Sequence, residues 1–316
     1  MKRLVIAALV VTLGLAVSAA AFAQGTGRSL DIQPGGRENG LGAAGVALAE
    51  GPSGCTWWNP AGLGFASKAG VDLTYAQLVP GLADDVLFNY GSYIQPIKGF
   101  GAFGLAMTFL SYGESEGFDN SGTSTGVFSS YEFAPALYYG TRILPDLSIG
   151  AGLKYIRIQL APDSQQGTGS TFAVDLGALY RIPAARLSLG VAIQNMGPSV
   201  TFINEDDSSP LSRAVRSGLS WQAVQSGNLG VLFVGDYYQS LVTNEFRTYN
   251  GGVEVSLSNQ IAGRVGYYED PLGDISGLTF GLGVAWRGLT LDYGSIPQAQ
   301  DSGLENVQKF TLGYRF

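Results

Sequence analysis

Side chains that could carry out catalytic chemistry are scarce in this sequence. The 316 residues include no histidine and one cysteine, Cys55. Without an imidazole the chain can form neither a Ser–His pair nor a histidine metal site, and a lone cysteine cannot form an intrachain disulfide. No spacing among the 25 acidic residues singles out a catalytic carboxylate pair. We therefore expect no enzymatic activity, no metal site and no cofactor.

The elements that hold the remaining polar side chains are predicted to be β-strands. Apolar residues alternate with glycine, threonine and charged residues, which places the two sets on opposite faces of a strand. The clearest apolar set is Leu278, Phe280, Leu282, Val284 and Trp286. A soluble β-sandwich shows the same alternation, so the fold class depends on the rest of the chain.

The N-terminus predicts export. Met1, Lys2 and Arg3 precede an uncharged apolar stretch over 4–17, and Ala21, Phe22 and Ala23 form a small-residue cleavage site before Gln24. This pattern is typical of a secretory signal peptide, residues 1–23, although an uncleaved anchor helix is the alternative. Without Lys2 and Arg3 the net charge falls from −7 to −9. An acidic chain without a basic cluster does not favour nucleic-acid binding.

Residues 71–316 predict fourteen strands with an outer-membrane arrangement of loops. Connections after even-numbered strands are tight, whereas several after odd-numbered strands are long, which is typical of an outer-membrane barrel with periplasmic turns and extracellular loops. The arrangement places the preceding segment and Phe316 on the periplasmic side. The predicted strands cover 71–79, 86–95, 100–112, 127–142, 146–160, 169–182, 186–195, 213–224, 229–242, 246–257, 260–269, 277–287, 289–296 and 306–316.

The fold class predicted is therefore all-β: a 14-stranded antiparallel transmembrane β-barrel in the bacterial outer membrane, in contact with its lipid. If the apolar set faces lipid, the charged set faces the lumen. Charges of both signs predict salt bridges and hydrogen bonds that hold a plug, and not a single-sign selectivity filter. The predicted lumen charges are Lys154, Asp175, Arg181, Arg216, Glu254, Arg264, Arg287, Asp292 and Arg315.

The last predicted strand ends on an aromatic residue and has apolar residues at every second position. These residues are Phe310, Leu312, Tyr314 and Phe316. The pattern resembles the C-terminal signal that the barrel assembly machinery recognises. Aromatic residues also end other even-numbered strands, which predicts an interfacial girdle; a plain terminal strand of a soluble barrel is the alternative.

Residues 24–70 are rich in small residues and predict a plug inside the lumen, with an ordinary turn-rich arm as the alternative. The order of its glycines and the Asn-Pro-Ala turn, ahead of the first predicted strand, resembles the FadL superfamily of outer-membrane proteins. The W-N-P-A-G-L form over 58–63 resembles the PorV/PorQ branch of that superfamily. The resemblance implies that this segment folds in the barrel as a hatch. The residues that carry it are Gly40, Gly42, Gly45, Asn59, Pro60, Ala61 and Gly62.

Pro135 interrupts a predicted strand, because proline cannot donate a ladder hydrogen bond. FadL-like proteins release ligands through a gap beside a kinked strand. We therefore hypothesise that Pro135 and a facing segment from Gly101 to Gly104 mark a lateral opening. A local bulge without passage is the alternative.

Three functions are compatible with the sequence. The resemblance implies passive transport of hydrophobic small molecules across the outer membrane. The first alternative, implied by the PorV/PorQ-type motif, is an accessory barrel that docks secreted proteins. A structural barrel with a closed hatch is the third.

Overall fold

The structure is a computed structural model that describes residues 26–118, 121–162, 167–202, 208–242, 246–271, 273–299 and 302–316. The predicted signal peptide, residues 1–23, lies outside these ranges.

Fourteen antiparallel strands in the described ranges close into one barrel, in which sequential strands pair and the last pairs with the first. The predicted all-β fold and its strand number are confirmed. In chain order the strands are β1 Gly70–Val79, β2 Ala83–Ile97, β3 Gly101–Phe118, β4 Ser124–Leu144, β5 Leu147–Gln159, β6 Thr168–Ile182, β7 Leu187–Met196, β8 Ala214–Ser226, β9 Leu229–Ser240, β10 Arg247–Leu257, β11 Ile261–Asp270, β12 Ile275–Trp286, β13 Leu289–Ile296 and β14 Val307–Arg315.

The strands turn their apolar side chains outward and their small and polar side chains into the lumen. On β12, Leu282 is 62% exposed, whereas Thr279 is fully buried. A closed barrel leaves no unpaired edge, so every strand can satisfy its backbone within a bilayer. The exposed apolar face is therefore the lipid-facing face.

Loop length differs between the two ends of the barrel. We call the end with the tight turns the inner rim and the end with the long connections the outer rim. The tight turns include Lys98–Phe100, Pro145–Asp146 and Arg287–Gly288. By the topology of outer-membrane barrels, the inner rim is periplasmic.

The outer rim differs from the prediction in one respect. Residues 113–126 were expected to form a loop, but β3 and β4 continue through most of this range as a paired ribbon with a register shift between Ser111 and Glu114. The connection after β7 also contains a two-residue hairpin, Val200–Thr201 with Ser208–Ser209.

Residues 26–69 pack inside the barrel as a chain of short helical turns. Because the segment contains many glycines, long helices would be unfavourable in it. The turns are Arg28–Leu30, Gly36–Gly40, Gly51–Ser53, Gly54–Trp58 and Pro60–Phe65, and a further turn, Pro183–Ala185, joins β6 to β7. None of the helices in the described residues is long and apolar enough to cross a membrane.

The segment 26–69, called the plug from here on, runs the length of the lumen. The Thr26 amide donates to the Pro210 carbonyl at 2.7 Å, and the Ser212 amide donates to the Thr26 carbonyl at 3.1 Å. Both partners belong to the outer-rim connection before β8, whereas the plug ends at the inner rim where β1 begins. The expectation that the plug lies on the periplasmic side is therefore wrong for its N-terminal part, because backbone pairing fixes Thr26 to an outer loop.

Candidate functional site

Three carboxylates on the barrel wall hold successive parts of the plug. Glu132 accepts from the backbone amides of Arg28 and Ser29 at 3.1 and 2.8 Å. Asp236 accepts from the amides of Gly45 and Val46 at 2.8 and 2.9 Å.

The third carboxylate, Asp72 on β1, accepts from both the amide and the hydroxyl of Ser53, at 3.0 and 2.9 Å. Hydrogen bonds to a charged acceptor are stronger than neutral ones. The three carboxylates, Glu132, Asp236 and Asp72, therefore anchor the plug near its start, middle and end.

The Asn-Pro-Ala motif joins the plug to itself and to the wall. The Asn59 side chain caps the turn that follows, because its Oδ1 accepts from the Ala61 amide at 3.0 Å. Its Nδ2 donates to the carbonyl of Val46 in the plug at 3.0 Å and to that of Ala178 on β6 at 3.1 Å. Pro60 occupies the first turn, where a missing amide hydrogen costs least.

The plug's glycines permit close contact with wall backbone. A Cβ at Gly42, whose φ is +77°, would lie 2.3 Å from the Tyr267 carbonyl oxygen, and one at Gly40 would lie 2.8 Å from Gly281 Cα. Gly45 faces the Trp58 ring and Gly62 faces the Ala49 carbonyl at similarly short range. Wall glycines reciprocate: those whose Cβ would collide with plug backbone are Gly140, Gly150, Gly190, Gly252, Gly266 and Gly294.

A charged cavity of about 340 Å³ lies between the plug and the inner rim. Arg37 of the plug donates through Nε and Nη2 to Glu254 on β10, both at 2.9 Å. Arg264 on β11 continues the chain of charges with contacts of 2.6 Å to Glu254 and 2.7 Å to Asp292. The predicted lumen charges Glu254, Arg264 and Asp292 therefore lie together.

Another predicted lumen charge, Arg315, borders the same cavity and is paired with Asp72 at 2.6 Å. Asp72 is thus both an anchor of the plug and the counter-ion of Arg315. The end of β14 and the start of β1 are joined by this pair at the seam where the barrel closes.

A second cavity, of about 200 Å³, lies on the outer side of the plug. The apolar part of its lining is Ile32, Leu78, Tyr268, Ile275, Ile296 and Val307, and the charged part is Arg28, Asp31, Arg216, Glu269, Asp270 and Lys309. Arg216, another predicted lumen charge, borders it and lies over the rings of Trp57, Trp58 and Tyr238 at 5.0, 5.3 and 4.5 Å. Its Nε donates to Gln194 at 2.9 Å.

The two cavities are separated by the plug turn between Gln33 and Asn39. Lys309 on β14 fixes this turn, because its Nζ donates to the Gln33 carbonyl at 2.7 Å and to Asn39 Oδ1 at 3.1 Å. A solute on the outer side would have to displace this contact and then cross the charged cavity. An apolar molecule in the charged cavity would be unfavourable, because it would displace the water that solvates those charges.

Lys154 and Asp175 form a separate buried pair on β5 and β6, at 2.7 Å. Asn195 joins them: its side chain accepts from Lys154 at 2.7 Å, and its amide donates to Asp175 at 2.8 Å. Asn195 Nδ2 also donates to the Ser212 carbonyl. The pair therefore stabilises the outer-rim connection to which Thr26 is bonded.

Of the remaining two predicted lumen charges, Arg181 contacts the plug and Arg287 lies outside the lumen. Arg181 lies over the Phe65 ring of the plug at 4.1 Å. The lumen position predicted for Arg287 is wrong: it is exposed in the β12–β13 turn, with a φ of +48°, and its guanidinium lies 5.0 Å from the Trp286 ring. The strand ends one residue earlier than predicted, so the alternation does not reach Arg287.

Sequence reasoning missed four residues that hold the plug. Asp72, Glu132, Asp236 and Lys309 are all buried in the lumen. Asp72 lies between Val71 and Leu73, and Glu132 lies between Tyr131 and Phe133, so the period-two pattern could have identified these two. Asp236 and Lys309 each have an aromatic neighbour on one side only. Only the partners on the plug, far away in sequence, show their role.

The segment predicted to face Pro135 does not face it. Pro135 pairs with Met107 on β3, whereas Gly101 pairs with Ile97 and Gly104 with Ile94 and Tyr138. The β3–β4 ladder is continuous past Pro135. Gly101 and Gly104 are therefore not part of the hypothesised opening.

On the other side of Pro135 the ladder is interrupted. Pairing of β4 with β5 stops after Phe133–Arg157 and resumes at Ala136–Lys154 without a change of register. Behind this interruption lies an apolar cluster in which Leu30 of the plug packs with Ala134, Ile156 and Leu211. A lateral opening at Pro135 stays a prediction, located now at the β4–β5 seam.

Glu38 and Cys55, both in the plug, have raised pKa values. Burial raises the pKa of Glu38 to about 7, although the neighbouring Arg37 opposes the shift. Burial likewise raises the pKa of the Cys55 thiol to about 12. Cys55 is 1% exposed, and its Sγ lies 3.2 Å from the Ala49 carbonyl, so the thiol is protected while the plug stays in place.

The C-terminal residues lie on the lipid-facing side of β14 or just beyond it. Phe310, Leu312, Tyr314 and Phe316 are 45%, 52%, 43% and 59% exposed. Phe316 stacks on Tyr93 and Tyr314 with ring centroids 6.4 and 5.8 Å apart. The predicted assembly signal is thus sterically accessible along one face.

A family profile described as "Type IX secretion system protein PorV" matches residues 20–224. The match therefore covers the plug, with its Asn-Pro-Ala motif, and the strands up to β8. No curated protein matches the sequence.

Solved structures with a similar fold include two toluene transporters. The chain is 14% identical to TbuX of Ralstonia pickettii, with a TM-score of 0.60 over 90% of this chain and 99% of that one. It is also 14% identical to TodX of Pseudomonas putida, with a TM-score of 0.55 over 94% and 98%. A Pseudomonas aeruginosa FadL homologue is 13% identical, with a TM-score of 0.51 over 90% and 98%. At such identities the likeness shows a FadL-like fold.

Proposed function

Since the chain belongs to the PorV family of type IX secretion system proteins and forms a FadL-like barrel of the bacterial outer membrane, we propose that it is an accessory barrel of protein secretion. In this proposal the barrel stays closed and docks an exported protein. This proposal is supported by the contacts that hold the plug in the lumen.

Those contacts oppose passage through the lumen. Glu132, Asp236 and Asp72 together accept six hydrogen bonds from plug residues. A net contribution of about 1 kcal/mol for each such bond makes spontaneous removal of the whole plug rare. A docking role requires no such movement, because the exported protein would bind at the rim.

Capture of the mature barrel from its native outer membrane tests the proposal. We expect an exported protein to co-purify with the barrel after mild cross-linking, and equally with an Arg37→Lys variant, whose charge contacts in the lumen are altered. Recovery of the barrel alone, with normal secretion in a strain that lacks it, would contradict the docking role.

The apolar lining of the outer cavity favours a second candidate function, the binding and passive transport of hydrophobic small molecules. Ile296 and Val307 enclose a space of about 200 Å³, which is small for a ligand site. We propose Ile296→Trp to fill this space, with Val284→Trp on the lipid face as the matched control.

Under this second proposal, solvent extraction and mass spectrometry recover an apolar molecule from the native chain and the Val284→Trp variant but not from Ile296→Trp. Equal recovery from all three would mean that the molecule is annular lipid. If neither an apolar ligand nor an exported protein is recovered, the closed structural barrel becomes the better description.

A further inference from the structure

The inner rim is charged asymmetrically around its circumference. Five exposed basic residues lie at consecutive connections along the rim: Arg287 between β12 and β13, Lys68 before β1, Lys98 between β2 and β3, Arg142 near the end of β4, and Arg186 between β6 and β7. We call these five residues the basic arc. The other two tight turns, residues 227–228 and 258–260, carry no charge.

The basic arc is not neutralised by the protein. Among the described residues, no carboxylate lies within salt-bridge distance of any of its five members, whereas Arg37, Arg264 and Arg315 in the lumen are paired. The only acidic residue in the turns that the arc spans is Asp146. An unpaired row of cations therefore faces outward from this part of the rim.

Lipid-facing aromatic residues accompany the basic arc. Phe100, Phe103 and Tyr139 form one cluster with ring centroids 5.2–6.0 Å apart beside Lys98. Phe316 and Tyr93 stack at the closing seam near Lys68. Aromatic side chains of this kind lie at the boundary between hydrocarbon and headgroups, so the neighbouring cations lie at the depth of the lipid phosphates.

The outer rim has the opposite charge. Its exposed acidic residues in the described ranges include Asp84, Asp85, Glu114, Glu116, Asp274 and Glu305. Cations near an anionic surface are attracted by its negative potential, and acidic residues are repelled. The asymmetry therefore fits an anionic leaflet at the inner rim only.

We propose that the basic arc binds the headgroups of anionic phospholipids in the periplasmic leaflet of the outer membrane. The phosphates lie against Arg287, Lys68, Lys98, Arg142 and Arg186, while the acyl chains pack on the adjacent aromatic residues. Short connections hold the cations within a few residues of the strand ends, which suits a lipid surface better than a distant protein partner.

The four tryptophans permit a test with the full mature chain. Trp57 and Trp58 are buried in the lumen, whereas Trp286 and Trp221 are 60% and 46% exposed to lipid. Trp286 adjoins Arg287 at one end of the basic arc, and Trp221 pairs with Leu187 beside Arg186 at the other end. A Trp221→Phe variant therefore reports on lipid near Arg287, and a Trp286→Phe variant reports on lipid near Arg186.

Quenching by brominated phosphatidylglycerol and brominated phosphatidylcholine, at equal mole fractions, gives the relative affinity for the two lipids. We expect a preference of roughly fivefold for phosphatidylglycerol at Trp286, and a preference in the same direction at Trp221. In the Trp221→Phe background, Arg287→Gln with Lys98→Gln should reduce the preference to about one, whereas Arg287→Lys should preserve it.

Asp84→Asn with Asp85→Asn is the matched control at the outer rim and should leave the preference unchanged. Heat-dependent gel migration establishes that each variant is folded. Equal quenching by the two lipids at Trp286 in the folded chain would overturn the proposal, even if an acidic protein were found to bind the same residues. A preference that survives neutralisation of the arc would overturn it as well.

Discussion

At the scale of single residues, the lumen is organised by side chains that recognise backbone. Asp236 binds two consecutive amides of the plug, at Gly45 and Val46, while Asn59 binds the carbonyls of Val46 and Ala178. Val46 is therefore held through both its amide and its carbonyl. Because these contacts are made to backbone groups, they do not require a particular side chain at Val46.

Asp236→Ala should loosen the plug, because two buried amides would lose their acceptor at a cost of about 1–3 kcal/mol each. The labelling rate of Cys55 by a thiol reagent measures this, since the thiol is 1% exposed in the native chain. We expect a rise of at least about tenfold for Asp236→Ala and a smaller rise for Asp236→Asn, which keeps one acceptor oxygen. Unchanged labelling would mean that Asp236 is not an anchor.

Glu38 makes the same labelling rate depend on pH. Its pKa of about 7 in the docked plug lies above the ordinary value of 4.5, because burial disfavours the charged form. Between these two pH values the docked plug binds one more proton than an undocked one, so its stability falls as pH rises. Below 4.5 and above 7 the contribution of Glu38 no longer changes.

Cys55 labelling should therefore increase from pH 5 to pH 8 by more than the reagent's own pH dependence, measured on the denatured chain. The charged groups around Glu38 are Arg37, Asp72 and Asp292, and each of them is ion-paired. In Glu38→Gln the additional pH dependence should vanish. If the additional pH dependence persists in Glu38→Gln, a group other than Glu38 causes it.

At the scale of elements, the strands serve as a surface on which the plug backbone rests directly. β11 illustrates this, because its two glycines have opposite environments. A Cβ at Gly266 would lie 2.2 Å from the Gly42 amide nitrogen, whereas one at Gly263 would meet nothing within 4 Å. Gly266 on the inward face is therefore part of the plug's binding site, whereas Gly263 lies on the lipid-facing side.

Gly266→Ala should displace the plug, and Gly263→Ala on the same strand should not. The barrel itself should close in both variants, because neither residue loses a ladder hydrogen bond. Limited proteolysis from the periplasmic side should cleave the plug of Gly266→Ala faster by at least about tenfold, a factor that corresponds to about 1.4 kcal/mol. Equal cleavage of the two variants would mean that the plug adapts to the added methyl group.

At the scale of the whole molecule, closure of the barrel links the two ends of the chain. β1 pairs with β14 over eight residue pairs, and Arg315 binds Asp72, which in turn holds the plug. The C-terminal strand therefore completes the wall, the plug's third anchor and the aromatic stack around Phe316 at once.

Phe316→Ala should reduce the yield of assembled barrel, since it removes the terminal aromatic residue and its stacking on Tyr93. The fraction that migrates as a compact species in unheated gels measures assembly. Phe118→Ala is the matched control, because Phe118 is equally exposed at 59% but lies in the outer ribbon. An equal loss of assembly in both variants would argue against a specific role for the C-terminus.

By itself, the sequence determined the barrel and much of its lumen. Period-two alternation indicated fourteen strands, each with a lipid face and a lumen face, and loop lengths indicated their orientation, because both signals are local. The same alternation placed Glu254, Arg264 and Asp292 inward. It failed at Arg287, one residue beyond a strand end, where a left-handed turn ends the alternation.

Only the tertiary structure decided what the lumen holds together. The residue facing Pro135, the bonding of Thr26 to the outer connection, and the anchors Glu132, Asp236 and Lys309 all depend on contacts between residues 28 to 276 positions apart in sequence. A strand pattern does not specify its partner's register or the path of a glycine-rich plug. Those features arise from packing, when backbone atoms of the plug and the wall come into contact.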